Sequence, residues 1–278
     1  MFGRRKTAAL VAEFLGTGVL TLLLLSVQRS TIGVPFFIGA IAGLALAAMV
    51  LAFWRVSGSH FNPAITIAMW TARRITAIRA LGYVVAQVLG ALGAYYLYVF
   101  FVKNNLQPLE GKFSGNVMTA EAVGAGLLAL GFAAAVYQRF TAGMAAAATG
   151  ISYMLASVLS SGAPSSFGLV NPALALSVVN PGFTFSVESW VLASYVLGPI
   201  IGAIVGLNLY KLLFATPNGA VVGDATDNTT ALAAVVKANQ AEVVQTTTTV
   251  VKPIRKARTT TSTKTKSTAV KRAPRKKK

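Results

Sequence analysis

Asn62-Pro63-Ala64 and Asn171-Pro172-Ala173 repeat one triplet, 109 residues apart, in an apolar chain. Asn is among the best helix N-caps, and Pro is tolerated at the first helical position, where its missing N–H would lack a partner anyway. Each triplet therefore predicts a helix start. Neither helix is long: the apolar run after Pro63 covers Ala64 to Trp70 before Arg73-Arg74, and that after Pro172 covers Ala173 to Val179 before Asn180-Pro181. Crossing a bilayer takes about 20 residues, so both segments enter without traversing. Polar backbone at membrane depth persists only when buried in protein or beside a wet cavity. Ser57, Ser59, Asn62, Ser165, Ser166 and Asn171 around the two breaks suit a wet cavity.

The surrounding composition is that of a membrane protein. Of 278 residues, 55% are hydrophobic and 12% charged, with a mean hydropathy of +0.65; soluble domains carry about 25% charged residues. Too little polar surface is left to cover a soluble all-α core. Apolar stretches at about 8–28, 36–54, 79–101, 119–137, 143–161 and 187–213 have the length of spanning helices. Arg4-Arg5-Lys6 ahead of the first stretch imitates a signal peptide. That run contains Glu13 and ends without a small-x-small cleavage site, so a retained helix is expected. The chain has no Cys and a single His, His60, which excludes disulfides, thiolate chemistry and Cys- or His-rich metal sites. No metal, no cofactor and no catalytic residue set is expected, and hence no enzyme.

Other features return at nearly the same offset. Ala12-Glu13 is echoed by Ala120-Glu121, and Leu89-Gly90 with Gly93-Ala94 by Leu197-Gly198 with Gly202-Ala203. Each repeat holds three spans, an odd number, so the second is inverted relative to the first. Paired interrupted segments in inverted repeats mark a binding or conduction site near the bilayer midplane. The two half-helices then enter from opposite faces and meet N-terminus to N-terminus. Each N-terminus acts as roughly half a positive charge, which makes the meeting point hostile to cations. The Asn amides can donate to a permeating oxygen, which favours neutral hydroxylic molecules.

Charge sets the orientation. The connections after the first, third and fifth spans carry Arg29, Lys103 and Lys112; the other side carries Arg4, Arg5, Lys6, Arg55, Arg73, Arg74, Arg79, Arg139 and Lys211. Lys and Arg accumulate in cytoplasmic loops, so both termini are expected inside a cell membrane. Residues 1–214 form the channel domain, with repeats at about 7–102 and 117–214. Residues 215–278 hold 13 Lys and Arg, 3 acids and no aromatic residue. Such a segment cannot offset its ordering entropy by apolar burial and is expected to be a disordered cytoplasmic tail. Its cations suit an anionic-lipid surface; nucleic acid fits less well without aromatics for base stacking. A solvated tail that only enforces orientation is a further reading.

With these residues in view, the chain resembles the aquaporin and aquaglyceroporin (major intrinsic protein) family over about residues 7–214. The matching stretches are Ala12-Glu13-Phe14-Leu15-Gly16-Thr17, Ser57 to Thr66, Ala86-Gln87 with Gly90, Asn171-Pro172-Ala173, and Gly198-Pro199 with Gly202-Ala203. The resemblance implies an all-α fold of inverted 3+3 repeats, with six transmembrane helices and two re-entrant half-helices. It also implies one pore per protomer and a homotetramer that passes water and small neutral solutes such as glycerol or urea. Asn62 and Asn171 would be pore donors, with Pro63, Ala64, Pro172 and Ala173 completing the motifs. Glu13 and Glu121 would be buried acceptors holding the two loops through backbone N–H groups, with His60 structural or gating.

The resemblance fails at the family's narrowest point. The usual Arg position falls on Leu174, the aromatic on Ala42, the small residue on Gly168, and the fifth-span residue near Ser157, with Ser152 and Ser160 as alternatives. Ala175 stands where glycerol channels of the family carry Asp. An Arg would bring donors and a fixed charge; without it a wider, less polar filter is expected. Two other functions stay open beside a channel: a coupled transporter, for which Glu13 and Glu121 are the intramembrane carboxylates, and a non-conducting scaffold that presents the tail.

Overall fold

The computed structural model describes residues 4–29, 35–103, 106, 109, 111–181 and 190–214. Within them the chain is helical: α1 (Arg4–Arg29), α2 (Pro35–Ser57), α3 (Pro63–Thr71), α4 (Ala77–Val102), α5 (Gly115–Tyr137), α6 (Ala142–Ser160), α7 (Pro172–Val178) and α8 (Val191–Phe214). Six of these are long and apolar enough to cross a membrane. The expected start of the last span near 187 and the tail lie outside the described residues.

Local chemistry explains the starts. Asn62 and Asn171, both with extended backbone, cap α3 and α7 by accepting from Ala64 N at 2.8 Å and Ala173 N at 3.0 Å. Hydroxyls cap α4, α5 and α6 in the same way, through Thr76, Ser114 and Thr141. Each cap satisfies an N–H that the first helical turn leaves without a partner.

The packing has the symmetry of a duplicated unit. α1 lies against α2 and α4, as α5 lies against α6 and α8. Across the repeats, α3 packs on α8 as α7 packs on α4, α3 meets α5 as α7 meets α1, and α2 faces α6. Each half-helix is thus seated in the opposite repeat, and the two touch each other. Leu44, Ile78, Leu81, Phe100 and Leu212 stand exposed on the outside, a surface suited to lipid tails rather than water.

Glycine sets the closest helix approaches. Without hydrophobic drive between helices in lipid, association depends on close packing at small residues. A Cβ on Gly90 would strike the Phe14 carbonyl oxygen, and one on its repeat mate Gly198 would strike that of Met118. At Gly202 the obstacle is the Ala122 carbonyl. Gly202→Val should therefore force α5 and α8 apart, at the scale of core overpacking, about 1–3 kcal/mol. Thermal unfolding of the purified protein checks this; an unchanged midpoint would contradict the packing.

Candidate pore centre

The four residues before each Asn decide the geometry. Ser59 (φ 51°) and Phe61 (φ 48°) in the first loop, and Gly168 (φ 62°) and Val170 (φ 55°) in the second, lie in the left-handed region. For an aromatic and a β-branched residue this costs on the order of 1–3 kcal/mol each, and such strain persists only where surroundings enforce it. The enforcing groups are two buried carboxylates. Glu13 accepts from His60 N (3.0 Å), Phe61 N (2.7 Å) and Gln87 Nε2 (2.8 Å). Glu121 accepts from Leu169 N (3.1 Å), Val170 N (2.6 Å) and Ser166 Oγ (3.0 Å). Both are 0% exposed, and a carboxylate at that depth persists only with such donors around it.

The turned backbone presents the carbonyls of Phe61 and Val170 across the repeat boundary. Asn62 Nδ2 donates to Val170 O at 2.9 Å, and Asn171 Nδ2 donates to Phe61 O at 2.9 Å. The two amides therefore share one place, each tied to the loop of the other half. An amide nitrogen carries two N–H groups, and these bonds engage one on each Asn.

His60 has its backbone on Glu13, and its Nδ1 lies 3.1 Å from Thr66 Oγ1. Its ring meets Tyr83 edge-on, with centroids 5.4 Å apart. Gln87 bridges Glu13 and Thr66 through Nε2, the latter at 2.9 Å. In the second loop Tyr195 takes that place, accepting from Phe167 N (3.1 Å) and donating to Ser165 O (2.7 Å). Tyr153, fully buried on α6, donates to Leu169 O at 2.9 Å. Sequence reasoning gave no role to Gln87, Tyr153 or Tyr195. The first and last sit 108 residues apart, the repeat offset, which was the available signal.

Two of the serines around the breaks tie the loops: Ser57 Oγ accepts from Ser59 N (3.0 Å) and Ser166 Oγ donates to Glu121. Among the fifth-span candidates, Ser152 faces Gly131 of α5. Ser160 lies 3.3 Å from Ser166 beside the Glu121 cluster. Ser157 Oγ donates to Gly168 O at 2.7 Å, which brings together two of the four residues expected at the filter. Ala42 and Leu174 are buried in the apolar core that holds the half-helices.

Below the first loop opens a cavity of about 540 Å³, bordered by Ser57, Gly58, His60 and Met69 and by residues of the α2, α3–α4 and α5–α6 connections. Among the described residues, no group of three or more His, Cys, Asp or Glu could hold a metal.

Two re-entrant half-helices meeting inside six spans define a membrane channel, not an enzyme. The family model described as Major intrinsic protein matches residues 4–210, and the chain belongs to that family. It is 32% identical over 232 residues to Aquaporin Z of Photorhabdus laumondii, covering 74% of this chain and 97% of that protein. It is 35% identical over 224 residues to the lens fiber major intrinsic protein of Gallus gallus, covering 73% of this chain and 80% of that one. Among solved structures, the aquaglyceroporin from Plasmodium falciparum matches with a TM-score of 0.64 at 19% identity, covering 75% of this chain and 96% of its own. That last likeness concerns the fold.

Proposed function

We propose that the chain passes water and small neutral solutes such as glycerol or urea, passively, through a pore centred on Asn62 and Asn171. The observation that carries this reading is the reciprocal pair of 2.9 Å bonds that holds both amides between the starts of α3 and α7. Amide donors at this point can replace part of a permeant's hydration, while two helix N-termini disfavour cations there. Relatives named for water and for glycerol passage support the solute class.

Ala42, Ser157, Gly168 and Leu174 would form the outer filter. Leu174 and Ala42 offer no donor, and the Ser157 hydroxyl is engaged by Gly168, so discrimination there rests on width rather than hydrogen bonding. Coupled transport would need a carboxylate free to change partners; Glu13 and Glu121 each hold three donors instead. Both termini would face the cytoplasm of a cell membrane, with four copies assembling around separate pores.

Swelling of proteoliposomes in water, glycerol and urea tests the proposal, and flux equal to empty vesicles for all three would overturn it. Leu174→Arg adds a long side chain and a charge at the filter. The expected result is about a tenfold fall in glycerol flux relative to water, equivalent to about 1.4 kcal/mol of added barrier. Unchanged solute ratios would remove Leu174 from the filter.

A further inference from the structure

The cavity below the first loop is walled by cations from three separate connections: Arg55 at the end of α2, Arg74 and Arg79 around the start of α4, and Arg139 between α5 and α6. Among the described residues, none that line it is Asp or Glu. The wider charge balance agrees. Residues 1–214 contain four acids, of which Glu13 and Glu121 are committed to the pore loops. In the sequence, Glu110 falls between Val102 and Gly115, and Glu188 between Val178 and Val191. A concave, low-dielectric wall lined by one sign of charge focuses its field and concentrates counter-ions.

Two of these side chains are also positioned by contacts. The Arg74 guanidinium lies 3.9 Å from the Tyr137 ring centroid, a geometry that fixes its plane. Its Nη1 is buried and has no hydrogen-bond partner among the described residues. The guanidinium fork matches phosphate oxygens two at a time. Arg79 is oriented as well, donating to Tyr83 Oη from Nε at 3.0 Å and from Nη2 at 2.8 Å. Tyr83 in turn donates to Ser57 O at 2.8 Å, in the loop that leads to Asn62. The floor of the cavity includes His60, two residues before the pore Asn.

We propose that this arginine-lined cavity is a binding site for a phosphate-bearing anion, and that occupancy restricts passage through the pore. The second half rests on the channel reading given above; the first half does not. The volume of about 540 Å³ accommodates a small phosphorylated molecule or a lipid headgroup, and the phosphate is the chemistry common to both.

Titration calorimetry of the full chain in neutral detergent with tripolyphosphate tests binding directly. The basic tail also attracts this probe, so the informative quantity is the difference between wild type and Arg74→Gln, which leaves the tail unchanged. A saturable site weakened about tenfold in Arg74→Gln, and severalfold in the exposed rim variant Arg55→Gln, supports the proposal. Identical isotherms for all three overturn it, and the Arg55 variant guards against misfolding of the other. Flux is then measured with tripolyphosphate on both faces of neutral-lipid vesicles. At least a twofold reduction in wild type, absent in Arg74→Gln, supports restriction, whereas binding without any change of flux overturns that half. Reduced flux in phosphatidate-containing vesicles without added anion, again lost in Arg74→Gln, assigns the phosphate to a headgroup and supports the site. A protein that conducts nothing in any condition refutes the channel reading, while the calorimetry still decides the binding.

Discussion

Glu121→Ala should abolish water and solute flux and lower stability more than any other substitution considered for this chain. The carboxylate accepts from Leu169 N, Val170 N and Ser166 Oγ at 2.6–3.1 Å in a fully buried site. Removing it strands the buried Leu169 and Val170 N–H groups, at about 1–3 kcal/mol each, while the half-buried Ser166 hydroxyl can turn to Ser160. It also releases the restraint on Val170, whose left-handed backbone aims the carbonyl at Asn62. Relaxation of a β-branched residue from that conformation is downhill, so the second loop should abandon its shape and carry Asn171 with it. Glu121→Gln keeps one oxygen as an acceptor but turns an N–H toward another N–H, and intermediate loss is expected. Proteoliposome flux and thermal unfolding, measured on protein that elutes as a single species, make the comparison. Flux above half of wild type in Glu121→Ala would show that the loop is held by something else.

Asn62→Asp should make the pore leak protons. The exchange is nearly isosteric and leaves an oxygen to cap α3 through Ala64 N. It replaces the donor that meets Val170 O with an acceptor, so the crossing bond becomes a repulsion between oxygens. It also sets a negative charge where two helix starts otherwise repel cations. A unit charge about 4 Å from a permeating cation is worth about 4 kcal/mol at the screening typical of protein. A rise of at least tenfold in proton leak, read by a dye inside vesicles, is therefore expected, together with slower passage of glycerol. Leak and flux both equal to wild type would place the cation barrier elsewhere.

Much of this architecture can be read from the residues because it rests on local and periodic signals. Asn-Pro dictates a capped helix start, and the seven to nine residues that follow are too short to cross. The offset of 108 to 109 pairs Glu13 with Glu121 and Gly90 with Gly198, and the structure places each pair in matching surroundings. What escaped depends on tertiary approach. Tyr153 reaches Leu169 O only because α6 runs beside the second loop, and no spacing encodes that. The choice among Ser152, Ser157 and Ser160 turns on helix phase, which a loop of unmatched length hides until the backbone is known. The arginine cavity is another such case: four cations scattered over 85 positions, Arg55 to Arg139, converge through packing alone. In sequence they read only as a topological charge bias.

The crossed amide bonds have an evolutionary consequence. Each donor belongs to one repeat and each acceptor to the other, so neither half can complete the centre by itself. An ancestor of half this length would have had to work as a pair of identical subunits, swapping the same contact both ways. Once fused, the halves were free to diverge, as Gln87 and Tyr195 have done within the buried supporting layer. The clasp itself demanded that any change on one side be answered on the other.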